Sequence, residues 1–271
     1  MEKKTIFRVM SYNVNGLRAC ARKGLYQWLA DQAVDVVCLQ EIKAQLSQLS
    51  DPVFHPPQYH GFFRAATKKG YSGVAIYSRQ RPDSIHTSLG WPAFDEEGRY
   101  LELRFGELSI VSLYLPSGSS GETRQAFKFE VMSWLEPLLR EWLRSRRQYI
   151  VCGDWNIVRT SRDIRNWRTN QKNSGCLPAE RDWMNRLCAD AQDEICLEQA
   201  KGWQDTYRIL HPEGEDYTWW SQRGAARANN VGWRIDYQLT SPSMRSAFQH
   251  CSIAKDVHFS DHAPYVVDYS I

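Results

Sequence analysis

Short apolar runs alternate with polar, glycine-bearing turns along this chain, and the spacing within each run sorts strands from helices. Ile6–Tyr12, Val34–Leu39, Tyr59–Ala65, Gly73–Ser78, Gly98–Phe105, Leu108–Leu115 and Tyr149–Cys152 are β-branched or alternating and predict strands. Tyr217–Trp220, Trp233–Leu239 and Pro264–Tyr269 predict three more near the C-terminus. Apolar positions at helical spacing predict one helix over Leu17–Gln32, with Leu25, Trp28 and Leu29 on one side, and a long one over Glu122–Ser145. Shorter helices are predicted from Leu177, with Pro178 in the first turn, and over Thr206–Leu210. Between them Arg159–Cys176 is a long polar segment rich in Arg, Asn and Trp, and such loops inside a compact domain are usually functional. With no repeat, linker or composition break, residues 1–271 are expected to form one α/β domain. Several inter-strand turns are too short for parallel crossovers.

Composition changes this picture little. With 42% hydrophobic and 24% charged residues the chain is of ordinary globular type, and a net charge of +3 permits a basic face without locating one. Seven cysteines (Cys20, Cys38, Cys152, Cys176, Cys188, Cys196 and Cys251) form no Cys-x-x-Cys pair, which predicts buried free thiols rather than a disulfide framework or zinc site. Met1-Glu2-Lys3-Lys4 leads straight into a strand without an apolar signal segment. No stretch approaches the ~18 apolar residues of a membrane span. An intracellular, cytoplasmic, soluble protein with no membrane partner is therefore expected.

Polar groups recur at the strand ends. Asn13 and Asn15 follow the first strand, and Glu41 follows the second. Tyr114 points away from the face shared by Val111, Leu113 and Leu115, and Asp236 from that of Ile235, Tyr237 and Leu239. Gly153 marks a bend or close backbone approach near the end of the strand Tyr149–Cys152; Asp154 and Asn156 follow it, on one side of the chain if the extended conformation continues. Asp261 and His262 precede the last strand. The set offers carboxylates for a hard cation, amides and a phenol for orientation, and a histidine with carboxylate partners.

Seven segments together resemble the exonuclease III family of apurinic/apyrimidinic endonucleases. They are Asn13-Val14-Asn15-Gly16-Leu17-Arg18, Leu39-Gln40-Glu41-x-Lys43, Gly70-Tyr71-Ser72-Gly73-Val74-Ala75, Tyr114-x-Pro116-Ser117, Gly153-Asp154-Trp155-Asn156, Trp233-Arg234-Ile235-Asp236-Tyr237 and Ser260-Asp261-His262-Ala263-Pro264. They occur in the family's order and cover almost the whole chain. The resemblance implies a four-layer αββα sandwich of two mixed β-sheets flanked by helices, with the active site at one end. It implies a monomer that hydrolyses double-stranded DNA 5′ to abasic sites, leaving a 3′-hydroxyl and a 5′-deoxyribose phosphate, with some activity at blocked 3′ ends. The competing reading within the family is a mainly 3′→5′ exonuclease or 3′-end-trimming phosphodiesterase.

By motif, Glu41 would be the principal Mg²⁺ ligand (Mn²⁺ substituting) with Asp261 close to the metal. Asn15 stands where some relatives carry an acid. Asp154 would activate the attacking water and Asn156 orient it. His262, held by Asp236, would contact the scissile phosphate, Tyr114 would assist there, and Asn13 would support the network. Arg18, Lys23, Lys43, Tyr71 and Lys172 would meet the DNA backbone, and Asn170 and Asn173 the DNA beside the lesion. Trp219 and Trp233 would wall the pocket for the extruded sugar, and Gly175, lacking a side chain, would leave room for continuing duplex.

Overall fold

The computed structural model describes residues 6–188 and 202–271; Met1–Lys4 and Cys196 lie outside the described residues. In chain order the elements are β1 (Ile6–Asn13), α1 (Leu17–Arg22), α2 (Leu25–Ala30), β2 (Val36–Gln40), β3 (His60–Arg64), β4 (Val74–Ser78), β5 (Ser84–His86), α3 (Pro92–Asp95), β6 (Tyr100–Phe105) and β7 (Leu108–Tyr114). They continue with α4 (Glu122–Arg144), β8 (Gln148–Asp154), α5 (Trp167–Asn170), α6 (Pro178–Leu187), β9 (Gln204–Asp205), α7 (Thr206–Leu210), β10 (Trp219–Trp220), β11 (Gly232–Trp233), β12 (Asp236–Thr240), β13 (Phe248–Ile253) and β14 (Tyr265–Ser270).

Two six-stranded mixed sheets result, ordered β13-β14-β1-β2-β4-β3 and β5-β6-β7-β8-β12-β9. Each has a parallel pair at its centre, β1 with β2 and β7 with β8, and antiparallel neighbours elsewhere. Strand alternation divides their side chains between three apolar layers. Val9, Cys38, Ile76, Leu103, Ile110, Ile150 and Cys152 meet between the sheets. Tyr12, Val37 and Leu39 pack outward with Leu17, Leu25 and Leu29 of α1 and α2. On the other side Val111, Leu113, Tyr237 and Leu239 pack with Val131, Leu135 and Leu139 of α4 and with Trp183 and Met184 of α6. This is the four-layer αββα sandwich. Cys20, Cys38, Cys152, Cys176 and Cys251 are buried thiols. No helix among the described residues is long and apolar enough to cross a membrane.

Two expected elements are divided and a third is shortened. The helix over Leu17–Gln32 breaks at Lys23-Gly24 into α1 and α2. The strand over Trp233–Leu239 separates into β11, paired with β10 as a small ribbon, and β12, paired with β8 in the second sheet. Ile235, at the crossing, packs with Val158, Ile164 and Cys176 rather than with Tyr237. Only Trp219–Trp220 of the strand expected over Tyr217–Trp220 is paired.

The crossing is held by buried charge. Arg234, 1% exposed, donates Nε to Asp163 at 2.7 Å and Nη1 and Nη2 to Asp205 at 3.0 and 2.8 Å. Arg208 reaches Asp163 at 2.6 Å and Arg159 reaches Asp205 at 3.0 Å. Burial alone would raise both carboxyls, but the guanidinia outweigh it and hold both below the ordinary carboxylate range. A group depressed in the folded state stabilises above its unfolded pKa of about 4 and loses that contribution as pH falls through the folded value. Arg234→Met leaves two acids short of their shared partner and should cost about 3–5 kcal/mol at pH 7. Urea unfolding at pH 7 and pH 3 should show the penalty shrinking in acid; an equal penalty at both would remove the ion-pair account.

Candidate active site

Both sheets end in polar side chains at one edge of the sandwich, where a cleft of about 860 Å³ opens. Asn13, the last residue of β1 and fully buried, donates its amide to Glu41 Oε1 and to Asp154 Oδ2, each at 2.8 Å. One amide thus joins acids from different sheets. The Lys43 ammonium lies 2.8 Å from Glu41 Oε2 and also donates to Asn15 Oδ1. Asn15 donates to Asp261 Oδ1 at 2.8 Å, and Trp219 Nε1 donates to Asp261 Oδ2 at 3.0 Å.

The backbone after β8 does not stay extended. Asn156 adopts φ 52°, yet its side chain still meets Asp154. Asp154 Oδ1 accepts the Asn156 N–H at 2.8 Å and Oδ2 accepts the Asn156 amide at 3.3 Å. The same amide donates to Leu115 O at 2.9 Å. Asn15, Glu41 and Lys43 also have positive φ, so four of eight such non-glycine residues among the described residues crowd this edge. Conformations of this kind cost of order 1–3 kcal/mol and concentrate at functional sites.

His262 is 4% exposed, with Nδ1 2.9 Å from Asp236 Oδ2 and Nε2 3.9 Å from Asp154 Oδ2. Burial disfavours its charge, but Asp236, by charge and hydrogen bond, and then Asp154 and Asp261 outweigh it and push the imidazole up to about 10. Asp154 is pushed up to about 7 by burial and by Asp236, with His262 opposing. Glu41 is held below the usual range because Lys43 and the Asn13 amide outweigh burial. Burial and the neighbouring Glu41 raise the Tyr114 phenol, which lies 4.5 Å under the Arg99 guanidinium.

Ligand atoms of Glu41, Asp154 and His262 all lie within 4.8 Å of one another. A protonated imidazole has no lone pair to give, so the oxygens of Glu41 and Asp154 are the atoms of this group that could hold a cation. Oxygen donors suit a hard cation, and Lys43 beside Glu41 shows that positive charge fits there.

Tyr114, Asp154, Asn156, His262, Glu41, Asn15 and Asp261 line the cleft, whereas Asn13 and Asp236 are buried beneath it. Trp219 and Trp233, ring centroids 5.9 Å apart and nearly perpendicular, form one wall with Ile235. Lys43, Lys172, Asn173 and Gly175 also line it. Arg18, Lys23, Tyr71 and Asn170 do not. Lys23 donates to Phe259 O at 2.8 Å, the Tyr71 hydroxyl accepts from Arg99 and Arg124, and Asn170 accepts from the Asn173 side chain. Gly175 is glycine for a backbone reason. Its φ is +88°, and a Cβ would lie 2.9 Å from Asn156 O and 3.2 Å from Trp233, so any other residue would be strained here.

The pattern reading passed over Arg223, exposed on the cleft rim, which carried no signal beyond its charge. It also passed over Lys128 and Glu180, a fully buried ion pair at 2.6 Å. Lys128 had a legible signal, since it interrupts the apolar stripe Val131, Leu135 and Leu139.

A model described as the endonuclease/exonuclease/phosphatase family matches residues 10–262. The chain is 36% identical over 261 residues to the exodeoxyribonuclease of Bacillus subtilis (strain 168), covering 95% of this chain and 97% of that one. It is 31% identical over 260 residues to the DNA-(apurinic or apyrimidinic site) endonuclease of Dictyostelium discoideum, covering 95% and 69%. Among solved structures it is similar to the 3′-5′ exonuclease (NExo) of Neisseria meningitidis, with a TM-score of 0.85 at 25% identity over 98% of this chain and 100% of that one.

The raised imidazole is directly measurable. A ¹⁵N-detected titration of the metal-free protein should show His262 doubly protonated until about pH 10. Asp236→Asn should bring it down toward the ordinary ~6.5. Titration of the wild-type ring near 6.5 would contradict the electrostatics described here.

Proposed function

The chain belongs to the endonuclease/exonuclease/phosphatase family, and from that premise we propose that residues 1–271 form one catalytic domain of a DNA-repair nuclease of the exonuclease III type. It cuts double-stranded DNA on the 5′ side of an abasic site and leaves a 3′-hydroxyl and a 5′-deoxyribose phosphate. The observation that carries this reading is the Asn13 amide shared by Glu41 and Asp154, set beside a cationic His262 and an indole wall. The two relatives named as an exodeoxyribonuclease and an abasic-site endonuclease support it.

In this reading Asp154 takes a proton from the attacking water, and a carboxyl pushed toward neutrality suits that task. The Asn156 amide, steadied by Leu115 O and Asp154, orients the water. His262 Nε2 donates to a non-bridging phosphate oxygen while Asp236 holds Nδ1, and Tyr114 donates at the same phosphate or at the leaving oxygen. Glu41, with Asp154 and Asp261 nearby, would hold Mg²⁺, for which Mn²⁺ substitutes. When bound, the ion supplies Lewis-acid stabilisation of phosphate charge. Trp219, Trp233 and Ile235 receive the baseless sugar, whose extrusion breaks no base pair. Lys172, Asn173 and Arg223 on the rim meet the DNA backbone.

A second reading, a mainly 3′→5′ exonuclease or 3′-end-trimming enzyme, keeps every chemical role. It is favoured by the similarity to NExo.

The test uses a duplex with one internal tetrahydrofuran site beside an undamaged duplex with a recessed 3′ end, each with Mg²⁺, Mn²⁺ or EDTA. Metal-dependent nicking 5′ to the analogue that outpaces end shortening is the expected result; the reverse order selects the second reading. Asp154→Asn should lower turnover by about 10²–10⁴-fold with DNA binding retained. Turnover near wild type in that variant would overturn its role as base.

A further inference from the structure

We infer that Lys128 is a positioning residue for Asn156, holding the turn that carries the Asp154–Asn156 pair from beneath the cleft through its hydrogen bond to the Asn156 carbonyl, with Glu180 as its buried counter-ion. The inference rests on the function proposed above. Lys128 and Glu180 are both 0% exposed and neither touches the cleft space. The Lys128 ammonium donates to the main-chain carbonyl of Asn156 at 2.8 Å and to Glu180 Oε1 at 2.6 Å. Gln125 donates to the same Glu180 oxygen at 3.0 Å. The other oxygen, Oε2, accepts the N–H groups of Gly175 at 2.6 Å and Leu177 at 3.0 Å. Val158 N–H donates to Gly175 O at 2.8 Å, which closes the loop 173–177 onto the turn.

One buried pair therefore joins four pieces: α4, α6, the turn after β8 and the loop that presents Asn173 to the cleft. Its geometry suits positioning better than stabilisation. Taking two charges out of water is costly, and a well-packed uncharged pair often serves stability as well or better. What the ammonium adds is a directed, charge-assisted donor on the carbonyl of a residue held at positive φ. With that carbonyl fixed, the Asn156 amide and N–H are aimed at Asp154 before substrate arrives. Misplacement of a reacting group by about 1 Å can cost ~100-fold in rate.

Three variants separate position from stability. Lys128→Met strands a buried carboxylate and should be both slow and less stable. Lys128→Met/Glu180→Gln is neutral and keeps an amide oxygen for the Gly175 and Leu177 N–H groups. It should regain melting temperature yet remain slow in kcat by ~100-fold, with DNA affinity in EDTA near wild type. Glu180→Gln alone retains the Lys128–Asn156 bond and should keep kcat close to wild type although its melting temperature falls. If kcat follows melting temperature across the folded variants instead of the Lys128–Asn156 bond, the inference is overturned, and any two that fold suffice for that comparison. Wild-type protein in the same nicking assay keeps the two readings apart. A wild type that nicks no abasic duplex defeats the functional reading, whereas an active wild type with an unimpaired double variant defeats this one alone.

Discussion

Glu41 comes from one sheet and Asp154 from the other, and a single buried amide, that of Asn13, holds both at 2.8 Å. Two carboxylates brought this near in a desolvated setting repel, so the sandwich can close at this edge only if donors stand between them. Asn13 supplies two N–H groups and no charge. The register of β1 against β2 places Asn13 opposite Gln40, immediately before Glu41. The register of β8 against β12 places Asp154 opposite Asp236. The relative setting of the sheets is thereby expressed at the site as one distance on each side of an amide.

From that constraint the surrounding features follow. Asp236 faces Asp154 across its strand pair and would add to the repulsion, but His262 lies between them with a proton on each nitrogen. The segment bearing His262 is clipped to the indole ribbon, because Ala263 N–H donates to Thr218 O and Trp220 N–H to Asp261 O. Thr218 Oγ1 in turn accepts the N–H groups of Ile235 and Asp236. The apolar wall and the acidic floor are thus one hydrogen-bonded unit, tied below to the Arg234 network.

Where a side chain's position depends on strand period, the sequence was readable: Tyr114 and Asp236 lie on the faces that alternation assigns them. Gly153 was legible as a close approach, since a Cβ there would lie 2.3 Å from Leu113 O across the parallel pair. Residues whose place depends on partners distant along the chain were not legible. The ion pair that Lys43 makes with Glu41 at 2.8 Å carried no signal in the sequence. Nor did the bonds that the Arg99 and Arg124 guanidinia donate to the Tyr71 hydroxyl. The break between Trp233 and Asp236 was hidden because β-branched and aromatic composition continues across it. Only the pairing of Trp233 with Trp219 and of Asp236 with Asp154 shows that the run serves two sheets.

The balance of charge at the site carries a last implication. Four carboxyl groups, from Glu41, Asp154, Asp236 and Asp261, gather with two cations, Lys43 and His262. The excess of acid is felt inside the cluster, where burial and Asp236 raise Asp154 despite the nearby imidazolium. A phosphodiester brings a further negative charge, so its approach to this floor is opposed unless positive charge arrives with it. Lysines and arginines on the rim, such as Lys172 and Arg223, lie nearer solvent, where their fields are screened. A cation seated among the oxygens themselves would act at the range where the repulsion arises. The acid count thus makes this floor a place where a cation could be held.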